Sequence, residues 1–469
     1  MYLWGMSGTV HSNTDTIVAL ATAAGEAAIA VIRLSGPESL SIAGQFFTKK
    51  NLATQRGHSM HYGEWRERDG QVVDELVLGL FRGPHSYTGE DVVELSCHGS
   101  PYVIRRIMEH CLEAGARPAQ PGEFTLRAYL NGRMDLSQAE AVADLIASSS
   151  ASAHRLAMHQ LKGGVSREIG ALREKLIEFA SLIELELDFA EEDVEFADRG
   201  DFLRLVCETR EKLDRLLESF RLGNAIKEGI RTVIAGRPNA GKSTLLNALL
   251  EEERAIVSDI PGTTRDTIEE TLSIEGVRFR MIDTAGIREA QDAIEAIGVE
   301  RTMQAIQQSA LIVYLFDVTD TSPELLARDI ENLGSGSIPL LLVANKMDLN
   351  PYEKAGRFAV AGVPEERVIP LSAKNEMNVQ YLKRRMYEES VAHRMEQGQT
   401  LLSNARHYAA LMRTRESLDA VLAGMESGVT SDWIAMDVRQ ALHYLGEVTG
   451  SISTEDLLDN IFSNFCIGK

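Results

Sequence analysis

Cysteine is scarce in this 469-residue chain: Cys97, Cys111, Cys207 and Cys466 lie far apart and form no C-x-x-C pair. That excludes a disulfide framework and a zinc site built on paired thiolates, and it fits a reducing compartment, the cytoplasm. Proline is sparse too, at 12 residues, while hydrophobic residues make up 44% and charged residues 25%. Those proportions exclude collagen and disordered chains and indicate a globular protein with ample apolar surface to bury. Apolar runs are short. LIVYLF at 311–316 is among the longest, whereas a membrane-crossing helix needs about 20 such residues. The opening MYLWGMSGTVHSNTD has neither a basic leader nor an apolar signal core, so no membrane targeting is expected. Basic residues are outnumbered, 48 against 69 acidic ones, for a formal charge of −21. This argues against a protein that coats nucleic acid through non-specific phosphate contacts, while a local RNA contact stays open.

The length predicts about three domains. Residues 14–36 hold short, partly β-branched apolar runs broken by glycine, which read as two strands. In MHYGEWRERDGQVVDELVLGLF, Asp69-Gly70 separates two alternating runs and favours the positive φ angles of a tight hairpin. A strand over 91–99 precedes the helical spacing of PYVIRRIMEHCLEAGA, and an α+β domain is expected to span 1–133. From 134 to 224 the pattern is helical. Leu172, Leu176, Phe179, Ile183 and Leu187 define one apolar face, and Leu203, Val206, Leu213, Leu217 and Phe220 another. Residues 386–469 are also helical, with Ser453 and Asp456 spaced as an N-cap and its third helical position. Between these blocks, residues 225–385 alternate apolar strands with amphipathic helices, the pattern of a parallel α/β sheet. The expected architecture therefore inserts an α/β domain into a helical domain made of two halves.

The chemistry is most legible in RTVIAGRPNAGKSTLLNALL, whose loop from Gly236 to Ser243 matches G-x-x-x-x-G-K-S without a gap. Backbone N–H groups of Asn239, Ala240, Gly241, Lys242, Ser243 and Thr244 suit a phosphate cradle at a helix N-terminus. Lys242 neutralises the β and γ oxygens, and Ser243 offers a hydroxyl to magnesium. Downstream, IDTAG sets Asp283 after an apolar strand for a water-mediated magnesium contact, with Thr284, Ala285 and Gly286 beside the γ-phosphate. LLLVANKMD ends a strand with Asn345, Lys346 and Asp348, whose carboxylate can accept two hydrogen bonds from the N1 and amino groups of guanine. Adenine has no such pair of donors. Ser372, Ala373 and Lys374 close the set, their backbone available to the guanine oxygen. These motifs, in this order at strand ends, resemble the Ras-like GTPase superfamily over 230–384. Where Ras-type proteins orient the attacking water with glutamine, this chain has Ile287, so another group must serve; Arg288, Glu289, Asp292 and Glu295 are the candidates.

GRPNAGKS, DIPGTTRD, DTAGIRE, helical flanks on both sides and the terminal FCIGK together resemble the MnmE (TrmE) family of tRNA-modification GTPases, over nearly the whole chain beyond residues 1–13. The resemblance implies a nucleotide loop of Ser258, Asp259, Ile260, Pro261, Gly262, Thr263 and Thr264, with magnesium on Ser243 and Thr264 and potassium on Asn239, Ser258, Ile260 and Thr263. Asn239 can alternatively serve the turn alone. Potassium would take the place of an arginine finger, and Glu295 would orient the water through a bridging water. The resemblance also implies a 5-formyl- or 5,10-methylene-tetrahydrofolate site of Arg33, Glu94, Arg133 and Lys469, where Arg133 stands in place of the expected lysine; ordinary surface ion pairs are the plainer reading. Cys466 would join the modification chemistry or act as a small apolar plug. The acidic run 184–198 reads as a solvated helix end.

What the family implies for the whole protein is a cytoplasmic homodimer that hydrolyses GTP. It would work with the flavoprotein MnmG in a heterotetramer-like complex on the wobble uridine of certain tRNAs. FAD would come only through that partner, because this chain has no G-x-G-x-x-G fingerprint. A ribosome-assembly or regulatory GTPase is the alternative that the nucleotide motifs alone permit.

Overall fold

The computed structural model describes residues 15–48, 51–188, 199–250, 269–283, 305–334, 338–360, 363–391, 400–427 and 429–469. The chain divides into two compact units, one of Met1–Ala143, Leu161–Arg173 and Leu442–Lys469, the other of Asp144–Gln160 and Glu174–Ala441.

The first unit is built on a sheet of β1 (Ile17–Leu20), β2 (Ala27–Ser35), β3 (Ser59–Arg66), β4 (Val72–Phe81), β5 (Val92–Gly99) and the short β6 (Arg117–Pro118), in the order β3-β4-β5-β2-β1-β6. Strand alternation decides its two faces. In β5, Val93, Leu95 and Cys97 are buried, whereas Glu94, Ser96 and His98 lie on the opposite face. Helices α1 (Ser39–Phe46) and α2 (Pro101–Glu113) cover the inner face, α1 with Leu40, Ile42 and Phe46 and α2 with Val103, Ile107 and Cys111, at helical spacing and with proline at its first turn. The outer face carries the antiparallel pair Arg33 and Glu94, and farther along it Met60 and Tyr62 of β3, which are 77% and 69% exposed. The Asp69-Gly70 turn is wider than a two-residue hairpin. Glu67 and Gln71 close it by a 2.8 Å backbone hydrogen bond, and of the dipeptide only Gly70 takes a positive φ, +93°.

Helices α3 (Glu123–Leu130) and α4 (Leu136–Ala147) follow, and the terminal helix α13 (Glu455–Ser463) packs on α3, with Leu126 of α3, Leu136 of α4 and Phe462 of α13 in one apolar cluster. The α13 N-cap is Thr454 rather than Ser453. Thr454 has the extended backbone of a cap, and its Oγ1 accepts from the Leu457 N–H at 3.3 Å, while Ser453 Oγ faces the Tyr129 hydroxyl at 3.2 Å.

In the second unit, β7 (Ile230–Gly236), β8 (Glu269–Ile274), β9 (Val277–Asp283), β10 (Leu311–Asp317), β11 (Leu340–Asn345) and β12 (Val368–Pro370) are ordered β12-β11-β10-β7-β9-β8. All pairs are parallel except β8–β9. Every residue of β10 and β11 is buried, as central strands covered on both faces require. Helices α5 (Ala151–Leu161), α6 (Gly164–Asp188), α7 (Arg199–Glu228), α8 (Lys242–Leu250), α9 (Pro323–Leu333), α10 (Val379–Ser390), α11 (Ala405–Ser427) and α12 (Ser431–Thr449) complete the described α-helices, the start of α6 through Arg173 and the end of α12 from Leu442 belonging to the first unit.

Helices from distant parts of the chain meet in this unit. Phe220 of α7 stacks on Tyr408 of α11 with centroids 4.4 Å apart, and Ser403 Oγ lies 2.9 Å from Gln160 of α5. Of the expected apolar face of α7, Val206, Leu213 and Leu217 are buried, but at its start Phe202 is buried in place of Leu203, which is 40% exposed. Spacings of four, three and four run through Phe202, Val206, Thr209 and Leu213, which keeps them on one side of the helix. The β8–β9 hairpin is fastened at its tip. The Gly276 carbonyl accepts from the Ser152 N–H (3.0 Å) and hydroxyl (2.7 Å), and Arg278 donates to Ser149 Oγ at 3.0 Å.

Candidate functional site

The phosphate loop joins β7 to α8, and glycine is needed where the chain turns most tightly. Gly241 has φ +98°, and a Cβ there would lie 2.5 Å from Asn345 Nδ2. Asn239 also takes a positive φ, +62°, and its side chain is exposed, as are Ser243 and Thr244. Lys242 Nζ donates to the carbonyls of Gly236 and Arg237, both at 2.9 Å, so the ammonium is held at the mouth of its own loop.

Asn345 closes β11 and is 3% exposed. Its Nδ2 donates to the Ala240 carbonyl at 2.8 Å, and its Oδ1 accepts from the Ala373 N–H at 2.9 Å. One side chain thus braces the phosphate loop against the Ser372–Ala373–Lys374 loop. Asp348 is oriented from the same direction, since Ser372 Oγ donates to its Oδ1 at 2.6 Å. Lys346, at φ +64°, pairs with Asp317 Oδ2 at 2.5 Å. Burial pushes the Asp317 carboxyl up, but hydrogen bonds from Lys346 and Thr319 outweigh it and hold the group below its ordinary value. Sequence reasoning passed over Asp317. Its signal was an aspartate closing the apolar strand LIVYLFD.

Asp283 closes β9 opposite Ile234. Ser258, Asp259, Ile260, Pro261, Gly262, Thr263, Thr264, Thr284, Ala285, Gly286 and Glu295 lie outside the described residues, as do Ile287, Arg288, Glu289, Asp292 and the acidic run from 189 to 198.

On the outer face of the first sheet, Arg33 donates through Nε and Nη2 to Glu94 Oε1 at 2.9 and 2.8 Å, and through Nη1 to the Gly468 carbonyl at 3.3 Å. Its guanidinium also lies 5.3 Å from the ring centroid of Tyr87 and 5.6 Å from that of Phe124. Lys469 is close enough to feel the same groups. Burial pushes its ammonium pKa down and Arg33 pushes it further, with Glu94 and Cys466 opposing. Arg133 reaches the same neighbourhood by another route, donating through Nε to the Ser86 carbonyl, next to Tyr87, at 3.1 Å. Cys466 is exposed, and its carbonyl accepts from Lys469 N at 3.3 Å and from Gly122 N at 3.4 Å. Arg33, Glu94 and the adjacent Gly468 and Lys469, from three distant stretches of the sequence, are thus neighbours. The aromatic partners Tyr87 and Phe124 were missed because neither stands in a distinctive motif.

Residues 136–466 match the family model for the MnmE helical domain, and residues 16–133 that for the GTP-binding protein TrmE N-terminus. The chain belongs to the MnmE family. A tRNA modification GTPase MnmE of Cytophaga hutchinsonii is 53% identical over 461 residues, covering 98% of this chain and 99% of that protein. MnmE proteins of Christiangramia forsetii and Flavobacterium johnsoniae are 50% and 48% identical over 471 residues, covering 97% of this chain and 99% and 100% of their own lengths. For this MnmE-family chain, no helix among the described residues is long and apolar enough to cross a membrane.

This MnmE-family protein also carries a second group of charges that the sequence did not announce, centred on the buried Arg127 and Glu123. Arg127, 3% exposed, donates to Asp15 Oδ1 (2.6 Å), Glu123 Oε1 (3.1 Å) and Glu90 (3.2 Å), and Arg117 donates to Asp15 (2.7 Å) and Glu123 (2.5 Å). Burial pushes the Asp15 and Glu123 carboxyls up, yet the two arginines, joined at Glu123 by the Gln120 N–H, more than offset it and hold both below their ordinary values. A carboxyl with a depressed folded pKa contributes stability that is fully present above its unfolded value, about 4, and is lost as pH falls through the folded one. The thermal transition that exposes buried Trp65 should therefore drop by several degrees on acidification from about pH 5 to pH 3, and Arg127→Met should flatten that dependence. Fluorescence-monitored melts test this; an equally steep dependence in the variant would exclude the cluster as its source.

Proposed function

We propose that this protein is a potassium-stimulated GTP hydrolase that acts with an MnmG-type flavoprotein. Together they install the 5-carboxymethylaminomethyl or aminomethyl group on the wobble uridine of certain tRNAs, using a one-carbon unit of 5-formyl- or 5,10-methylene-tetrahydrofolate. The observation that carries the nucleotide part is the brace from Ala240 through Asn345 to Ala373, which ties the phosphate loop to the loop beside Asp348. A domain division of 1–133, 134–224 with 386–469, and 225–385 goes with this reading.

Each residue has a role that its chemistry allows. Lys242 exchanges the Gly236 and Arg237 carbonyls for phosphate oxygens, and the fixed Asp348 carboxylate selects guanine. The exposed Ser243 hydroxyl, with Thr264, suits magnesium. The exposed Asn239 amide, with Ser258, Ile260 and Thr263, suits potassium. Potassium held by these residues would supply positive charge to the transition state, and Glu295 orients the water that Ile287 cannot. In the first unit, the Glu94 carboxylate and the Arg33 and Lys469 cations fit the amino-pyrimidine edge and the anionic tail of a reduced folate, with Arg133 nearby. Cys466, on the same terminal segment, joins the one-carbon chemistry. Exposed Met60 and Tyr62, on the sheet face that bears Arg33 and Glu94, support a homodimer.

Turnover of GTP by the full-length protein should rise at least about tenfold when potassium replaces sodium at equal ionic strength. Equal rates would remove the potassium assignment. The folate part is tested by calorimetric titration with 5-formyl-tetrahydrofolate and by mass analysis of wobble uridines in cells lacking the protein. No binding and unchanged uridines would favour a ribosome-assembly or regulatory switch instead.

A further inference from the structure

Arg237, the second residue of the phosphate loop, is engaged at both ends. Its carbonyl accepts from Lys242 Nζ at 2.9 Å and from the Ala240 N–H at 3.4 Å. Its guanidinium makes a two-pronged contact with Asp329 of α9, Nε to Oδ2 at 2.7 Å and Nη2 to Oδ1 at 2.8 Å. Asp329 Oδ2 takes a third hydrogen bond, 2.8 Å, from the hydroxyl of Tyr314, a buried residue of β10 that pairs with Ala235 of β7. The loop is therefore tied to the sheet twice: once through the β7–β10 ladder just before it, and again through a side-chain chain that runs by way of α9. Exposed ion pairs contribute little. This one differs in three respects: it is bidentate, its acceptor is mostly buried, and the acceptor is itself fixed by a buried phenol.

We propose that Arg237, Asp329 and Tyr314 form a clamp that positions the phosphate loop and thereby sets how long a guanine nucleotide stays bound. The clamp rests on the reading of that loop as the GTP site. It fixes the Arg237 carbonyl against which Lys242 is held, so it governs the loop's shape before phosphate arrives. GDP and GTP gain from it alike. Because it touches neither the transferring phosphoryl group nor the water, it changes KM and nucleotide release rather than the rate at saturation. Asp329 and Tyr314 are positioning residues in this sense.

The test uses full-length protein and three readouts: release of a fluorescent GDP analogue, steady-state GTP hydrolysis, and the melting temperature. Asp329→Ala should speed GDP release by about tenfold and raise KM by a similar factor, with kcat within about twofold and the melting temperature within a few degrees. Tyr314→Phe removes a hydroxyl without removing the ring and should speed release by roughly two- to fivefold. Adding Arg237→Ala to Asp329→Ala should leave release no faster than Asp329→Ala alone, since both break one contact. The clamp is overturned if either Asp329→Ala or Tyr314→Phe releases GDP at the native rate. It is equally overturned if kcat falls while KM holds, or if the double variant is additive. Failure of the unaltered protein to bind the GDP analogue would instead remove the nucleotide reading on which the clamp depends.

Discussion

Asn345→Ala is expected to weaken GTP and GDP binding by about 100-fold, the largest single effect in the nucleotide unit. The substitution takes away one side chain but strands two backbone groups, the Ala240 carbonyl and the Ala373 N–H, both within buried residues. Each buried group left without a partner costs roughly 1–3 kcal/mol. In the free protein the two loops escape much of that cost by moving until water reaches them. Nucleotide must then pull them back, so the cost emerges as lost affinity. Asn345→Asp should do comparable harm, because it keeps an acceptor for Ala373 while placing a carboxylate against the Ala240 carbonyl. Equilibrium titration with a fluorescent GDP analogue gives the answer. Binding of Asn345→Ala within about threefold of native would show that the brace does not hold the site together.

Gly468→Ala should weaken reduced-folate binding by at least about tenfold and leave GTP turnover at saturation unchanged within about twofold. Gly468 sits at φ +97°, where a side chain is strained by roughly 1–2 kcal/mol before any clash. There is a clash as well: the added Cβ would press on the Leu20 carbonyl and lie 2.9 Å from Ala21 Cα. The end of the chain has to lift from β1. When it does, the carbonyl that Arg33 reaches leaves the cluster, and Lys469 and the Cys466 segment go with it. Calorimetry with 5-formyl-tetrahydrofolate reads the first effect and a phosphate-release assay the second. Native folate affinity in Gly468→Ala would mean that the terminal residues contribute nothing to that site.

Much of the nucleotide unit was legible because its information is local. The phosphate loop is one unbroken run of eight residues, and the buried parallel strands read as continuous apolar stretches such as LIVYLFD and LLLVAN. What escaped was the meaning of side chains whose partners are remote. Asn345 is read from its motif as a contact for nucleotide, yet both ends of its amide are engaged by other loops, 105 and 28 residues away. The same limit governs the first unit. Arg33 meets Glu94 across 61 residues and Gly468 across 435, distances over which no spacing rule carries information, so only the family resemblance grouped Arg33 and Glu94 with the terminal Lys469, and it did not point to Gly468. Nothing in the sequence singles out Arg127, because periodicity marks apolar faces and is blind to a buried cation that brings its own carboxylates. The one-residue shifts at Thr454 and Phe202 have a humbler origin. In each, two neighbours could fill the role, two hydroxyls or two large apolar side chains, and packing chose between them.

The pinned tip of the β8–β9 hairpin has a mechanical consequence. Along the chain this hairpin lies between the PGTTRD segment and the DTAG segment, so both of its ends run into stretches named for nucleotide contact, while its far end is held by Ser149 and Ser152. It is a strut loaded at one end and anchored at the other. A pull on residue 269 or 283 that leaves the three hydrogen bonds at Gly276 and Arg278 intact cannot swing the hairpin free; it has to move the N-terminal turn of α5 as well. A displacement set up at either end would thus reach the N-terminal turn of α5 through bonds already in place, with no new contact to be made.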